Sequence, residues 1–336
     1  MASRDGAEKA LQTSPPRDSE PAPSGTRAAA RREWLEARLG KAHVERRLAI
    51  EQAPRLFARA QKWHEFENWP GGRRLIRAAF AVSGLHARAK RNARDIVLRH
   101  NRLAVAGLPP AFEGYTILHL SDLHIDLARD IPHELATRVR GLRYDACALT
   151  GDFRAETGGD FEATLAGMRV LARELSPPVF GVFGNHDSLL MLQPLEELGV
   201  HMLVNEHVRL ERDGAELYLA GVDDPNFFRA HDLTAARRGI PEDAASVLLA
   251  HSPEIYAEAA ESGFGALLCG HTHGGQLCLP GGVPVRRVAG CPRSLHAGAW
   301  EHGGMSGYTS VGSGSCVVDL RLNCPPEVTL QRLTAG

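Results

Sequence analysis

Short apolar runs alternate with longer amphipathic segments along the chain from about residue 101 onward. The runs with strand-like character are 115–120, 145–150, 179–183, 247–250 and 264–269. Between them, segments such as 131–142 and 161–175 carry apolar residues at helical spacing. This alternation predicts βαβ units and a sheet that helices cover on both faces. Two closing strands are expected at 310–320 and 328–333.

A different pattern precedes this region. Between residues 31 and 100, Trp, Leu and Phe recur at roughly helical spacing with arginine and lysine between them, which predicts two or three amphipathic helices. Residues 1–30 contain few large apolar groups to offset the entropy lost on ordering, so we expect them to be disordered. The sequence therefore divides into a disordered N-terminus at 1–30, a basic helical arm at 31–100 and an α/β body at 101–336.

Charge separates the arm from the body. The net charge of −1 hides 21 Lys and Arg against 11 Asp and Glu in the first hundred residues, and 18 against 29 in the remainder. Two interpretations of the arm stay open. Its helices pack on the body, or they dock on an anionic membrane surface, as basic helices with Trp, Phe and Leu do. Nucleic acid is disfavoured as a partner because the acidic body would repel it.

Cysteine usage and hydropathy bear on the compartment. The six cysteines form no CxxC pair and no dense framework, which is typical of reduced thiols in the cytosol. Residues 1–30 lack the apolar segment of a signal peptide. The apolar stretch 75–85 is interrupted by Arg77 and is shorter than the ~18–20 residues of a spanning helix. We therefore expect a cytoplasmic protein, with a peripheral position on the inner face of the membrane if the arm binds lipid.

Side chains able to bind a metal ion follow directly after five of the predicted strands. They are Asp122, His124, Asp152, Asn185, His251, His271 and His273. Open α/β sheets place their sites at the carboxyl ends of strands, so we expect these groups to converge. The most specific stretch is 270–275, in which two imidazoles at i and i+2 fall on one face and the glycines let the backbone approach a ligand closely.

These motifs, together with Gly184-Asn185-His186-Asp187, resemble those of the calcineurin-like metallophosphoesterases. The Gly-Gly-Gln that follows His273 and the sequence Cys324-Pro325-Pro326-Glu327 are similar to the bacterial branch that contains YkuE-like and YaeI-like phosphodiesterases. The resemblance covers about residues 101–336 and leaves the arm outside it. It implies an α/β sandwich of two mixed sheets flanked by helices, and an enzyme that hydrolyses a phosphoester or pyrophosphate bond.

The resemblance also implies a binuclear metal centre with a bridging hydroxide that attacks phosphorus. The first ion would be held by Asp122, His124 and His273, the second by Asn185, His251 and His271, and Asp152 would bridge the two. This imidazole-rich donor set favours Mn, Fe or Zn over Mg or Ca, which prefer shells of oxygen ligands. His186 is implied as the catalytic residue that stabilises or protonates the leaving oxygen, with Asp187 a candidate to orient it.

The sequence indicates less about the substrate. A phosphorylated small molecule or a lipid-linked substrate is expected, and the specific alternative is UDP-2,3-diacylglucosamine, a lipid A precursor whose pyrophosphate some similar proteins hydrolyse. Arg154 is a candidate for holding substrate phosphate, whereas His119 is expected to be a packed residue. The segment 290–314 is either a loop over the metal ions or a plain connection. A nuclease and a metal-free scaffold are weaker alternatives, because the body is acidic and no ligand is missing.

Overall fold

The computed structural model describes residues 24–53, 70–286 and 288–336. Its helices are α1 (Ser24–Leu39), α2 (Lys41–Gln52), α3 (Pro70–Val82), α4 (His86–Asn92), α5 (Ile131–Val139), α6 (Glu162–Ala172), α7 (Leu192–Glu197), α8 (Leu233–Arg237) and α9 (Tyr256–Glu261). Its strands are β1 (Val97–Val105), β2 (Thr116–Leu120), β3 (Ala146–Thr150), β4 (Val179–Val182), β5 (Val200–Met202), β6 (Glu206–Arg212), β7 (Ala215–Gly221), β8 (Ser246–Leu249), β9 (Ala266–Cys269), β10 (Cys278–Leu279), β11 (Val283–Pro284), β12 (Gly298–His302), β13 (Met305–Thr309) and β14 (Glu327–Ala335).

Two six-stranded sheets form the centre of the body. The first has the order β1-β14-β2-β3-β4-β5, in which only the β14-β2 pair is antiparallel. The second has the order β12-β13-β9-β8-β7-β6, which is parallel from β13 to β7 and antiparallel at both edges. Strands β10 and β11 pair as a separate hairpin. The predicted class, a sandwich of two mixed sheets flanked by helices, is confirmed.

Burial on both faces explains why the central strands read as continuous apolar runs. In β2, Ile117 belongs to the core between the sheets, together with Val247 and Leu268. Its neighbour Leu118 belongs to the core that packs α5 and α6 against the first sheet. Successive side chains of a strand point to opposite faces, so each of the two cores takes alternate residues. A third core packs α8 and α9 against the second sheet.

Helices α1 and α2 pack on the body. Leu35 of α1 and Val44 of α2 are fully buried in the same core as α5 and α6. The next helix, α3, packs Ile76 near Val318 in a separate apolar cluster. Part of the predicted arm, residues 54–69, lies outside the described residues. Among the helices that the structure describes, none combines the length and the hydropathy that crossing a bilayer requires.

The boundaries of the arm differ from the expected ones. The described part of the segment 1–30, residues 24–30, begins α1 instead of being disordered, because its alanine and arginine residues favour a helix. Strand β1 begins at Val97, inside the segment assigned to the arm, and pairs along its whole length with β14. The hydrophobic pattern of the sequence does not indicate this strand, because charged residues interrupt its apolar positions.

The segment 310–320 is a loop instead of the expected closing strand. Its backbone follows the loop after β2, because Ser313 and Gly314 donate their N–H groups to the carbonyls of Ser121 and Asp122. Glycine is needed for this close approach, since a Cβ at position 314 would lie 2.0 Å from the carbonyl oxygen of Leu123. The second expected closing strand is present as β14.

Candidate metal centre

The seven metal-capable side chains lie together at one end of the sandwich. Strand β2 leads into Asp122 and His124, β3 into Asp152, β4 into Asn185, β8 into His251, and β9 into His271 and His273. Strands β2, β3 and β4 are parallel neighbours, as are β8 and β9, so the strand ends within each sheet share one edge. All seven side chains are more than nine-tenths buried.

The seven groups form two sets of donor atoms. In the first set, His273 Nε2 lies 3.1 Å from His124 Nε2 and 3.3 Å from Asp122 Oδ1. In the second set, His251 Nε2 lies 3.0 Å from Asn185 Oδ1 and 3.3 Å from Nδ1 of His271. These separations are short enough for each set to surround one ion.

Asp152 lies between the two sets. Its Oδ2 is 3.2 Å from His251 Nε2 in the second set and 3.7 Å from His124 Nε2 in the first. Its Oδ1 accepts a hydrogen bond from the backbone N–H of His186 at 2.9 Å, which fixes the orientation of the carboxylate. One oxygen of Asp152 therefore faces both sets at once.

The backbone at these positions is strained. Positive φ angles between 37° and 70° occur at Asp122, His124, Asp152, His271 and His273. Residues other than glycine seldom adopt such conformations, which cost on the order of 1–3 kcal/mol each. Strain of this kind is concentrated at functional sites, where the surrounding structure enforces it.

Two motif glycines permit the crowding around the carboxylates. A Cβ on Gly184 would lie 2.3 Å from Asp152 Oδ1, and a Cβ on Gly270 would lie 2.3 Å from Asp122 Oδ2. No other residue type leaves room for these contacts, which explains the glycine that opens Gly-Asn-His-Asp and the one that opens Gly-His-Thr-His.

The donor set fits divalent metal ions. Imidazole nitrogens face each other at 3.1 Å in the first set and 3.3 Å in the second, so their lone pairs repel unless a cation or a proton lies between them. His271 Nε2 is buried and has no hydrogen-bond partner among the described residues, which is costly for a polar atom. Imidazoles mixed with carboxylate and amide oxygens suit Mn, Fe or Zn.

Burial and neighbouring charges shift the ionisation of these groups. Burial opposes ionisation of Asp152, but the imidazoles of His251 and His186 outweigh it and hold the pKa of Asp152 well below its usual range. Burial likewise opposes protonation of His251, but Asp152 raises the pKa of this imidazole to about 10. Burial raises the pKa of Asp122 and lowers that of His271 to about 4. Because only a neutral imidazole nitrogen binds metal, a metal ion and a proton would compete for His251.

His186 lies beside the two sets. Its Nε2 is 3.9 Å from Asp152 Oδ2, and its Nδ1 is 3.2 Å from the hydroxyl of Thr157. Asp187, the expected orienting residue, instead accepts N–H bonds from the backbone of Asp152 and Phe153 at 2.8 and 2.9 Å. Asp187 thus organises the loop backbone, and the hydroxyl of Thr157 contacts the imidazole. No motif in the sequence marks Thr157.

Arg154 does not face the space beside the donor sets. Its buried guanidinium donates to backbone carbonyls, including those of His186 and Thr157, so the prediction that it holds substrate phosphate is wrong. It supports the loop of His186 instead. His119 is a packed residue, as expected: its Nε2 lies 2.8 Å from the hydroxyl of Thr150, and burial lowers its pKa to about 3.

A cavity of about 260 Å³ opens beside the donor sets. Its polar wall contains Asp152, Asn185, His186, His271 and His273, and its apolar wall contains Ile76, Leu277, Val285, Val288, Val317 and Val318. Ile76 belongs to α3, so the helical arm contributes to the wall of the candidate site. Cys316, which no sequence motif marks, also lines the cavity.

Comparison with known proteins identifies the class. Residues 115–275 match the calcineurin-like phosphoesterase family. A Bacillus subtilis protein named uncharacterized metallophosphoesterase YkoQ is 31% identical over 73% of this chain and 93% of its own length. Phosphodiesterase YaeI of Escherichia coli is 31% identical over 65% of this chain and 82% of its own length. The chain belongs to the calcineurin-like phosphoesterase family.

Membership in this family defines the reaction class. The chain is a metallophosphoesterase, a hydrolase that acts on phosphoester bonds with the help of divalent metal ions. The buried donor sets at the strand ends are the groups that the structure offers to such ions.

Proposed function

We propose that the chain hydrolyses a phosphoester or pyrophosphate bond at a binuclear metal centre. The observation that carries this proposal is the position of Asp152 Oδ2, 3.7 Å from His124 and 3.2 Å from His251. A carboxylate in this position suits a bridge between two ions. The first ion would be held by Asp122, His124 and His273, and the second by Asn185, His251 and His271.

Two divalent ions of Mn, Fe or Zn would polarise the phosphoryl oxygens and acidify a water to the hydroxide that attacks phosphorus. The protein would contribute the buried surroundings of the reaction. In a site of low dielectric, fixed charges act more strongly on a developing charge than they do in water.

His186 would act on the leaving group. Its Nε2 faces Asp152, its Nδ1 contacts Thr157, and the residue lines the cavity beside the donor sets. In this arrangement Nε2 would donate a proton to the leaving oxygen, while the hydroxyl of Thr157 limits rotation of the ring. Asp187 and Arg154 would support the loop without touching substrate.

Elemental analysis of Asp152→Asn tests the bridging role. We expect this variant to keep its circular dichroism spectrum, to lose at least one ion and to lose nearly all activity toward an aryl phosphodiester. The matched control is His119→Gln, a nearby buried change that should leave the metal content unchanged. Full metal occupancy in Asp152→Asn would contradict the bridging assignment.

We also propose that the substrate carries an apolar group, with UDP-2,3-diacylglucosamine as the specific candidate. The support is the apolar wall of the cavity, in which Ile76, Leu277 and Val288 face the same space as His186. An apolar wall stabilises a bound apolar group at about 25 cal/mol per Å² of area removed from water. If the substrate had no apolar group, the apolar wall would remain exposed to water.

A hydrolysis panel with matched variants tests the apolar subsite. UDP-2,3-diacylglucosamine, shorter-chain analogues, nucleotides and aryl phosphoesters would be compared in detergent. We expect kcat/KM to rise with acyl length and Val285→Gln to reduce this dependence. Leu279→Gln is the control, because Leu279 is also exposed but does not line the cavity. Equal kcat/KM for acylated and acyl-free substrates would exclude the subsite.

We further propose that the arm, residues 31–100, docks on an anionic membrane surface through α3. The supporting residues are Leu75 and Val82, which are 65% and 91% exposed, with Arg74 and Arg77 on the same helix. Each basic side chain near such a surface adds about 1 kcal/mol to the binding free energy.

Vesicle sedimentation tests this docking. Full-length protein should sediment with phosphatidylglycerol vesicles and remain free with phosphatidylcholine, and Leu75→Glu should weaken the binding to phosphatidylglycerol. Identical sedimentation with both lipids would contradict docking by charge.

A further inference from the structure

Cys316 brings a thiol next to the donor set of the first metal position. Its Sγ lies within 4.8 Å of the ligand nitrogens of His124 and His273, which are themselves 3.1 Å apart. The structure describes all six cysteines, and Cys316 is the one that joins a group of this kind. A thiol combined with two imidazoles is a donor combination of protein zinc sites.

The segment that contains Cys316 is held in place from two sides. The side-chain amide of Gln276 donates to the carbonyl of Cys316 at 2.8 Å and accepts from its N–H at 2.7 Å. On the other side, Gly314 donates its N–H to the carbonyl of Asp122 at 3.0 Å. Gln276 follows His273 closely in the chain, so the loops that carry the donors Asp122 and His273 also position the segment of Cys316.

A second observation indicates that a cation belongs at the cavity that Cys316 lines. His271 Nε2 is buried, lacks a hydrogen-bond partner among the described residues, and its side chain lines the same cavity as Cys316. A neutral imidazole nitrogen without a partner is satisfied by a positive ion. His271, from the second donor set, and Cys316, beside the first, therefore line one cavity.

We propose that the Cys316 thiolate is a further ligand at the first metal position and selects a thiophilic ion there. This inference rests on the binuclear centre proposed above. Thiolate ligands favour zinc and iron, whereas sites made of oxygen ligands suit Mn²⁺ and Mg²⁺. Binding replaces the S–H bond with a sulfur–metal bond and releases one proton to solvent. The donor set with Cys316 thus favours zinc over manganese.

Cobalt(II) titration of the metal-free full-length protein tests this ligand. Visible d–d absorption reports that cobalt binds and how many ions are bound, while a near-ultraviolet thiolate-to-cobalt charge-transfer band reports a sulfur ligand. We expect both signals in the unaltered protein and in the control Cys291→Ser. Cys316→Ser should keep the visible absorption and lose the charge-transfer band.

The outcomes separate this inference from the proposed function. If the charge-transfer band is absent from the unaltered protein, or if it is unchanged in Cys316→Ser, the proposal that Cys316 is a ligand is overturned. Neither result contradicts the binuclear centre. Failure to bind cobalt overturns both. After dialysis against equal zinc and manganese, the bound zinc-to-manganese ratio should be at least about tenfold lower in Cys316→Ser than in Cys291→Ser. Equal ratios overturn the selection of a thiophilic ion.

Discussion

The guanidinium of Arg47 donates a hydrogen bond to the backbone carbonyl of Asp187 at 3.0 Å. Arg47 belongs to α2 and is fully buried, where it also pairs with Asp223 at 3.2 Å. On the same helix, Glu51 accepts a hydrogen bond from Ser188 Oγ at 2.6 Å. Helix α2 therefore supports the loop Gly-Asn-His-Asp, and the arm is part of the structure that positions the metal centre.

Loss of Arg47 should destabilise the protein strongly. Arg47→Met removes the guanidinium from the buried Asp223 carboxylate and leaves it with the His43 imidazole. Breaking a buried pair in this way costs about 3–5 kcal/mol. Urea denaturation would measure the free energy of unfolding. The control Arg46→Met removes an exposed side chain from the same helix and should change this free energy by less than about 1 kcal/mol.

A double variant separates the charge effect from simple loss of packing. In Arg47→Met with Asp223→Asn, neither charge remains, so part of the lost stability should return. If the losses of unfolding free energy from Arg47→Met and Asp223→Asn simply add in the double variant, the Arg47–Asp223 ion pair is not the source of the destabilisation.

Asp223 should link stability to pH at acid values. Burial opposes its ionisation, but the Arg47 guanidinium and the His43 imidazole outweigh it and hold the pKa of Asp223 at about 2. In the unfolded chain, the pKa of an aspartate side chain is about 3.9. Because the folded pKa is the lower one, the pair contributes stability above about pH 4, and this contribution is lost as the pH falls through the folded pKa.

The stability gap between the unaltered protein and Asp223→Asn should therefore depend on pH. We expect the gap to be constant near neutrality and to shrink by on the order of 2 kcal/mol between about pH 4 and pH 2. Denaturation curves of both proteins across this range would measure it. A gap that stays constant down to about pH 2 would contradict the low folded pKa.

Loss of His186 should impair catalysis without removing metal. His186→Ala should keep its full metal content and lower kcat by about 10²–10⁴-fold, the usual effect of losing a positioned proton donor. The loss of kcat should be larger for substrates with alkyl leaving groups than for those with activated aryl leaving groups, because the latter need less protonation. An equal loss for both classes would favour charge stabilisation over proton donation.

Thr157→Val offers a milder test of the same contact. It removes the hydroxyl that lies 3.2 Å from His186 Nδ1 and should shift the pH profile of kcat with little change in KM. Asp187→Asn should instead lower stability, because Asp187 accepts backbone N–H bonds. A Thr157→Val variant with an unaltered pH profile would exclude an orienting role for the hydroxyl.

Gly270→Ala should abolish metal binding while much of the fold persists. A Cβ at this position would lie 1.8 Å from Ser121 Oγ and 2.3 Å from Asp122 Oδ2, so the Asp122 loop must move. The control is Gly158→Ala, whose added Cβ meets no atom within 4 Å. Isothermal titration with zinc would compare the two variants, and equal affinities would mean that the loop adjusts without loss of the site.

Local patterns located the donors of the site, whereas its supports depend on distant contacts. Donor residues follow apolar runs directly, so the sequence shows both the strand and the side chain after it. The contact of Thr157 with His186 joins residues 29 apart, and that of Arg47 with Asp187 joins residues 140 apart. No short-range pattern reports such pairs, and for the same reason the proximity of Cys316 to His273 could not be predicted.

Strands that are buried on both faces were predicted correctly from the sequence, whereas strand prediction failed where the strands are not buried in this way. Strands β2, β3 and β9 consist mostly of buried apolar residues, so the sequence alone indicates them. Strand β1 carries charged residues, and only its pairing with β14 defines it. Residues 310–320 are apolar enough for a strand, but their glycines serve close contact with the Asp122 loop.

The order β1-β14-β2 has a consequence for protein synthesis. A ribosome that has not yet released residues 327–335 leaves the facing edges of β1 and β2 unpaired, and unpaired edges are where nascent chains associate wrongly. The gap closes only after β14 inserts between them. Pairing of the first sheet is therefore completed only after residues 327–335 have been synthesised.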